Sequence, residues 1–320
     1  MAGYVFGVDV GGTTIKMGLF DTTGSVLDKW EIPTRTEDGG KQIVPDVAAS
    51  ILEKMKEHGI AKEEVLGIGM GAPGAVDDNG YMSGGAVNLG WAPFNLKDAA
   101  EEATGGIPVI AANDANVAAY GEMWKGGGRG NSNVVAVTLG TGVGGGIIVG
   151  GRLLTGATGA GGEIGHIHIV DEETDVCGCG HCGCLEQYAS ATGVVRLAKR
   201  RLAEDDKASV LREGEISAKA VFDAVKAGDA VAIEIAERFG YYLGKGLAAV
   251  ANVVNPEIFV IGGGVSKAGE ILLSFVEPNF QKYVFPPCRH ARFSLAQLGN
   301  DAGITGAAGM VFEKEKVNAG

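Results

Sequence analysis

The sequence predicts an α/β fold. Short apolar runs rich in Val and Ile are separated by segments whose apolar residues recur at helical spacing, as between Val44 and Met55. This alternation of strand and helix patterns is typical of α/β proteins. A glycine-rich hairpin is also repeated, since Asp9-Val-Gly-Gly-Thr resembles Leu139-Gly-Thr-Gly. Because 320 residues exceed the usual size of a single core, we expect two lobes with one hairpin loop of each facing a shared cleft.

The first half alternates strands and helices. Residues 4–10 form a β-type apolar run, and the glycines at 11 and 12 turn the chain so that residues 15–20 return as a second strand. Apolar residues at helical spacing predict a helix over 41–58, with Pro45 in its first turn and Gly59 at its end. The remaining predicted elements of this half are a strand over 65–70, a helix over 96–103, a strand over 108–112 and a helix that opens after Asp114.

The second half begins with the same arrangement. A strand over 133–139 leads into a glycine-rich turn over 140–146, and residues 147–149 return as a strand. The later predicted elements are helices over 194–203, 218–227, 230–253, 269–283 and about 302–315, and strands over 258–261 and 292–296. We expect residues 1–115 with about 301–320 to form the smaller N-terminal lobe, and residues 116–300 to form the larger one.

The charge balance excludes a nucleic-acid surface. The formal net charge is −12 and the pI is about 4.9, whereas phosphate neutralisation needs clustered Lys and Arg. The basic triplet Lys199-Arg200-Arg201 is followed by Glu204, Asp205 and Asp206, which is typical of a solvated helix face. No run of about 18 apolar residues predicts a membrane span, and the N-terminus lacks the features of a signal peptide. We therefore expect a cytoplasmic protein with no nucleic-acid or membrane partner.

A cysteine and histidine cluster predicts a structural zinc site. Four of the five cysteines and three of the five histidines lie between residues 163 and 186. Thiolates and an imidazole suit tetrahedral zinc, and a closed four-ligand site leaves no position for substrate. The predicted ligands are His166, Cys177, Cys179 and Cys184. Cys182 and His181 lie inside the last loop and could replace one of them, because spacing alone does not distinguish neighbours this close. The alternative, a disulfide pair, requires an oxidising compartment that the N-terminus does not indicate.

Three glycine-rich loops follow predicted strands. Glycine frees consecutive backbone N–H groups to form concave anion sites, to which neighbouring Thr hydroxyls add donors. A single loop would more simply be a tight turn, but three loops in one chain favour a nucleotide held between lobes. A dinucleotide fingerprint is rejected because the loop at 140–146 leads into a returning strand rather than a helix. The loop residues predicted to bind the nucleotide are Gly11, Gly12, Thr13, Thr14, Gly140, Thr141, Gly142, Gly262, Gly263 and Gly264.

Four carboxylates are candidates for chemistry. Asp114 follows a predicted strand, at the edge where ligands bind in open α/β sheets, so it could act as a base or simply cap the next helix. Asp9 ends the first strand and suits Mg²⁺ that is bound to phosphate, or it could be a turn residue. Glu163 and Glu186 flank the cysteine cluster and could each accept two hydroxyl hydrogen bonds from a polyol, or they could be surface acids.

Together these motifs resemble the ROK family of bacterial sugar kinases and related repressors, most closely its ATP-dependent glucokinases. The matching motifs, in order along nearly the whole chain, are Asp9-Val-Gly-Gly-Thr-Thr, Gly71-Ala-Pro-Gly, Asn113-Asp-Ala-Asn, Leu139-Gly-Thr-Gly-Val-Gly-Gly-Gly, Glu163-Ile-Gly-His and Cys177-Gly-Cys-Gly-His-Cys-Gly-Cys-Leu-Glu. The resemblance implies a two-lobed actin/hexokinase-like, ribonuclease H-like fold with sugar in the interlobe cleft and MgATP over the glycine loops. It also implies a homodimer or homotetramer and transfer of phosphate from ATP to the 6-hydroxyl of glucose.

The resemblance also assigns roles to residues. Asp114 resembles the base of the family, and the residues that resemble its sugar contacts are Asn88, Asn113, Glu163, His166 and Glu186. His166 would then bind zinc through one ring nitrogen and face the sugar with the other, so that the metal fixes its orientation. The loop amides, Mg²⁺ and Lys16 would stabilise the charge on the transferred phosphate.

The sequence argues against two other functions and leaves the identity of the hexose open. A sugar-responsive repressor would need a DNA-binding segment before the first strand, and we expect none because the chain reaches Asp9 almost at once. A catalytically dead sugar-binding protein would lack the base or a phosphate loop, and both are present. Within the kinases, N-acetylmannosamine or fructose could replace glucose, because such sugars differ by only a few hydrogen bonds.

Overall fold

We describe the protein from a computed structural model, which covers residues 3–319 and the side chains of residues 3–314. Its strands are β1 (Tyr4–Val10), β2 (Thr14–Asp21), β3 (Val26–Pro33), β4 (Val65–Ala72), β5 (Tyr81–Met82), β6 (Phe94–Asn95), β7 (Val109–Asn113), β8 (Val134–Leu139), β9 (Val143–Val149), β10 (Arg152–Leu153), β11 (Ile258–Gly262) and β12 (Arg292–Leu295). Its helices are α1 (Glu37–Gly40), α2 (Ile43–His58), α3 (Leu96–Ala103), α4 (Asp114–Lys125), α5 (Glu186–Ala189), α6 (Ala191–Leu202), α7 (Ala218–Lys226), α8 (Ala230–Val254), α9 (Glu270–Tyr283) and α10 (Ala302–Ala319).

Two five-stranded sheets share one topology. The first has the order β3-β2-β1-β4-β7 and the second the order β10-β9-β8-β11-β12. In each, the first three strands along the chain are antiparallel neighbours, and the last two add in parallel on the other side. The repeated order confirms that the glycine-rich hairpins β1–β2 and β8–β9 are equivalent parts of a duplicated α/β unit.

Each sheet has its own apolar core. In the first, Phe6 and Ile15 of the sheet are fully buried in one cluster with Ile51 of α2. In the second, Val135 shares a larger cluster with Phe239 of the long helix α8. The two largest cores are therefore separate, one for each sheet, as the chain length indicates. Smaller clusters lie around α4 and α10.

The terminal helix α10 packs on the first sheet and on α4. Ile304 lies in one cluster with Val5 and Phe20, and a β-carbon added at Gly69 or Gly306 would collide with the backbone of α10 or α4 respectively. Glycine at these positions therefore allows close backbone contact. This confirms that the last helix returns to the first sheet, while the residue boundaries of the two lobes stay predictions.

Several local elements differ from the sequence-based expectation. Strand β3 was not predicted, because it is an edge strand whose side chains are alternately exposed and half-buried rather than a continuous apolar run. The predicted turn over 140–146 is too long, since β9 begins at Val143 and its glycines pair with β8. A β-carbon at Gly146 would collide with Ala119 of α4, which explains why glycine occupies this strand. The short elements α1, α5, β5, β6 and β10 were also missed. No helix in the described part of the chain combines the length and apolarity needed to cross a membrane.

Candidate active site

The proposed base begins helix α4. Strand β7 ends at Asn113, whose backbone is still extended and whose side-chain oxygen accepts hydrogen bonds from the N–H groups of Ala115 (3.0 Å) and Asn116 (3.2 Å). Asn113 therefore caps the helix, and its amide also donates to the carbonyl of Gly74 at 3.0 Å. The sequence left open whether Asp114 caps or catalyses, and the structure gives the cap to its neighbour. The carboxylate of Asp114 also accepts from the N–H of Ala115, at 2.8 Å, so Asn113 shares this donor and alone accepts from that of Asn116.

Asp114 is partly buried and lies near other negatively charged side chains. Burial raises the pKa of Asp114, and the charge of Glu163 adds to this rise although hydrogen bonds from the helix start oppose it. Burial likewise raises the pKa of Asp9, and the charge of Asp114 raises it further while Lys16 lowers it. The two aspartates therefore lie in one partly buried, negatively charged region at the ends of β1 and β7. Such a region suits a proton acceptor and a bound cation.

Three predicted sugar ligands come together around His166. This residue ends the short 3-10 helix Ile164–His166, and its Nε2 lies 4.0 Å from a carboxylate oxygen of Glu163. Its Nδ1 lies 3.7 Å from an oxygen of Glu186, which begins α5. The half-exposed imidazole and two carboxylates thus form a polar surface that can hold sugar hydroxyls. Asn88 is exposed in another short 3-10 helix, where its amide nitrogen lies beside the backbone of Gly12 in the first glycine loop.

The four predicted zinc ligands form a compact cluster. One ligand atom from each of His166, Cys177, Cys179 and Cys184 lies within 4.8 Å of the other three. The sulfurs of Cys179 and Cys184 are 3.6 Å apart, and the sulfur of Cys177 is 3.8 Å from Nδ1 of His166. By contrast, the thiol of Cys182 faces the carbonyl of Thr174. Three sulfurs and one imidazole nitrogen at this spacing fit tetrahedral zinc. The geometry thereby favours Cys184 over Cys182, although His181 lies close to Cys179, 3.7 Å from its sulfur.

A buried carboxylate anchors the cysteine loop to α6. Glu173 is 8% exposed and accepts a hydrogen bond from the Tyr188 hydroxyl. It also accepts two hydrogen bonds from Arg200, at 3.1 and 3.2 Å, and forms an ion pair with Arg196 at 2.7 Å. Burial alone would raise the pKa of Glu173, but the bonds from Arg200 and Tyr188 dominate and lower it to about 2. The loop that carries the metal ligands is therefore fixed at its base.

The first two glycine loops are closed by their own backbone. The N–H of Gly11 donates to the carbonyl of Thr14 (3.1 Å), and the N–H of Gly140 donates to that of Gly142 (3.0 Å). Phosphate contacts would therefore come from the amides that follow, beginning with Gly12 in the first loop. The second loop is also tied to α6, because the hydroxyl of Thr192 donates to the carbonyl of Thr141 at 2.7 Å.

The third glycine loop borders a cavity of about 420 Å³. Gly263 adopts a positive φ of 85°, and a β-carbon there would lie 2.5 Å from the carbonyl of Leu139, so only glycine fits beside the end of β8. The cavity is lined by residues that include Glu122, Thr138, Gly262, Gly263, Gly264, Lys267, Gly299, Asn300 and Ala302. It is large enough for part of a nucleotide and is bordered by the third glycine loop and by Thr138 near the end of β8.

Two residues beside the site are not marked by any local sequence pattern. Gly303, in the first turn of α10, lies so close to Asp9 that a β-carbon would overlap the carboxylate. Glu122 is buried on α4 and holds the segment before α10 through backbone hydrogen bonds. Both contacts join parts of the chain that are far apart in sequence, so no motif or spacing could have revealed them.

Comparison with known proteins identifies the family. A family model described as "ROK family" matches residues 5–314. The chain belongs to the ROK family. It is 47% identical to a glucokinase of Halalkalibacterium halodurans over 97% of this chain and 95% of that protein. Among solved structures, it is similar to a ROK family glucokinase of Streptomyces griseus in complex with glucose and AMPPNP, at 38% identity and a TM-score of 0.73, over 96% of this chain and 99% of that one.

The solved relatives also support the architecture of this ROK protein. A ROK hexokinase of Thermus thermophilus matches 99% of this chain and 100% of its own, with a TM-score of 0.81 and 32% identity. With its two sheets of equal strand order, the protein has the two-lobed actin/hexokinase-like fold predicted from the sequence.

Proposed function

We propose that this ROK protein is a glucokinase that transfers the γ-phosphoryl group of ATP to the 6-hydroxyl of glucose. The similarity to a glucokinase over nearly the whole chain supports a hexose kinase, and the complex of a relative with glucose and AMPPNP supports glucose and ATP as its substrates. The observation that carries the mechanism is the state of Asp114. This carboxylate is half-buried and has a raised pKa, while Asn113 provides the two-bond cap of α4.

In this proposal Asp114 accepts the proton of the 6-hydroxyl. As that O–H bond breaks, the oxygen forms its new bond to the γ-phosphorus, and the bond from phosphorus to the bridging oxygen of ADP breaks with its electron pair leaving on ADP. A raised pKa brings a carboxylate closer to the operating pH and so makes it a better general base. Positioning and charge stabilisation supply most of the rate in phosphoryl transfer.

The sugar would be held by five side chains. Glu163 and Glu186 can each accept hydroxyl hydrogen bonds on both oxygens, and His166 lies between them. Asn113 and Asn88 would add amide contacts from the side of the first sheet. Since Nδ1 of His166 lies 3.8 Å from the sulfur of Cys177 and Nε2 lies 4.0 Å from a carboxylate oxygen of Glu163, zinc would fix the ring without touching the sugar.

The nucleotide would lie along the glycine loops. In this proposal the phosphates are bound by Gly12, Thr13, Thr14 and Lys16 of the first hairpin and by Thr141 and Gly142 of the second. The cavity beside Gly262, Gly263 and Gly264 would take the remainder of ATP. The half-buried carboxylate of Asp9 fits a cation, because a cation there would offset the repulsion between Asp9 and Asp114. Mg²⁺ bound there with the phosphates would neutralise the charge that develops during transfer.

The zinc would be structural. Four protein ligands fill a tetrahedral shell and leave no position for a reacting group, so the cluster would act by stabilising the loop that presents His166 and Glu186. A homodimer or homotetramer, the cytoplasmic location, and lobes formed by residues 1–115 with about 301–320 and by residues 116–300 stay predictions.

A substrate panel tests the function. ADP release is measured with glucose, N-acetylmannosamine and fructose as acceptors, and with ATP or polyphosphate as the donor. We expect the highest kcat/KM for glucose with ATP. A higher kcat/KM for another hexose would change the proposed substrate but not the proposed kinase activity. Failure of every hexose to stimulate ADP release would reject the proposal that the protein is a hexose kinase.

A further inference from the structure

A buried carboxylate on α4 holds the segment that joins β12 to α10. Glu122 is 4% exposed, and its oxygens accept hydrogen bonds from the backbone N–H groups of Gln297 at 3.0–3.1 Å and Leu298 at 2.8 Å. A third backbone donor, Gly127, lies at 2.8 Å. Burying a charge is costly unless donors surround it. These bonds therefore lock the segment at Gln297 and Leu298 onto α4.

The locked segment leads directly into a wall of the cavity beside the third glycine loop. Gly299, Asn300 and Ala302 line that cavity together with Glu122 itself and the third glycine loop. The other end of α4 carries Asp114, about two helical turns away. Glu122 thus connects one wall of the cavity to the helix that presents the proposed base.

We propose that Glu122 is a positioning residue for the nucleotide. It holds the wall at Gly299 and Asn300 at the distance from the third glycine loop that ATP requires. Through the rigid helix α4, it also fixes the position of this wall relative to Asp114. The assignment rests on the proposed function, because that function places ATP in this cavity. A purely structural role would lower stability without distinguishing ATP from glucose.

The decisive variant is Glu122→Gln. It keeps the size of the side chain but replaces one accepting oxygen with an NH₂ group, which cannot accept from a backbone N–H. We expect the KM for ATP to rise about tenfold, equivalent to ~1.4 kcal/mol, while the KM for glucose changes less than about twofold. A larger rise in the KM for ATP than in the KM for glucose is expected from a displaced cavity wall, whereas general destabilisation would not distinguish the two substrates.

The matched control is Glu257→Gln. Glu257 also accepts two backbone N–H groups, from Ser132 and Asn133 at 2.8 Å each, but it lies just before β11, at the opposite end of that strand from the third glycine loop. Both variants lose an acceptor for backbone donors. Only Glu122→Gln should change the KM for ATP.

Steady-state kinetics and melting temperatures are measured for the wild type and both variants. A rise in the KM for ATP alone, confined to Glu122→Gln, supports the assignment. An unchanged KM for ATP, an equal rise in both KM values, or the same effect from Glu257→Gln overturns it. If Glu122→Gln does not fold, Glu122→Asp provides the same comparison, since it keeps the charge but shortens the reach. A wild type without turnover on glucose and ATP would reject the proposed function, and this assignment with it.

Discussion

Replacing Asp114 with Asn separates catalysis from stability. The substitution removes the charge but hardly changes the volume, and Asn113 keeps its two capping bonds to α4. Loss of a general base typically costs 10²- to 10⁴-fold in rate, so we expect kcat to fall by about that factor, or ~2.7–5.5 kcal/mol of activation free energy. The KM for ATP should change little.

The structure also predicts that this variant is at least as stable as the wild type. Burial and Glu163 raise the pKa of Asp114, and Asp114 in turn raises the pKa of Asp9. A carboxylate whose pKa is raised by folding stabilises the fold below its unfolded pKa, and this contribution is lost as the pH rises through its folded pKa. At neutral pH the ionised Asp114 therefore costs stability, and the neutral amide removes that cost. Such trade-offs are common at active sites.

The assay follows ADP release at saturating glucose and ATP, with thermal melts on the same samples. In the wild type, kcat/KM should fall as the pH drops through the raised pKa of Asp114, because the protonated acid cannot accept a proton. Asp98→Asn removes the same charge from the first turn of α3 and should leave turnover unchanged. Turnover of Asp114→Asn within about tenfold of the wild type, or a loss of rate fully explained by unfolding, would refute the reasoning.

Three further predictions concern the framework of the site. Cys184→Ser should lose zinc and melt at a lower temperature, whereas Cys182→Ser should keep about one zinc per chain by mass spectrometry; equal zinc contents would contradict the ligand set. Gly306→Ala places a β-carbon against the backbone of α4 and should lower the free energy of unfolding in urea by ~1–3 kcal/mol or more. Gly84→Ala meets open space and should lower it little. Similar losses from both variants would refute the close backbone contact between α10 and α4. Glu173→Gln should lower the melting temperature at neutral pH. The difference in melting temperature from the wild type should disappear as the pH falls from about 4.5 to about 2, because the stabilisation from a lowered carboxylate pKa is lost in that window. A difference that does not depend on pH would exclude the ion pairs of Glu173 as its cause.

Local patterns were sufficient for most of the secondary structure. The strand predicted over 4–10 and the helix over 96–103 have those bounds in the structure, because hydrophobic periodicity, glycine and proline act within a few residues. Elements whose residues face solvent or another backbone were harder to predict. Strand β3 lies at a sheet edge and lacks an apolar run, and the start of β9 was hidden by glycines that lie against α4.

The sequence by itself determined the α/β class, the repeated glycine hairpins and the presence of a cysteine and histidine cluster that could bind zinc, since each of these is a matter of spacing along the chain. Tertiary structure alone decided which neighbour caps α4, which cysteine faces the cluster, and how Gly303 and Glu122 approach the site. These outcomes depend on contacts between segments that are distant in sequence. Such contacts are fixed only when the two sheets, α4 and α10 pack together, because burial and hydrogen-bond geometry are properties of the packed chain.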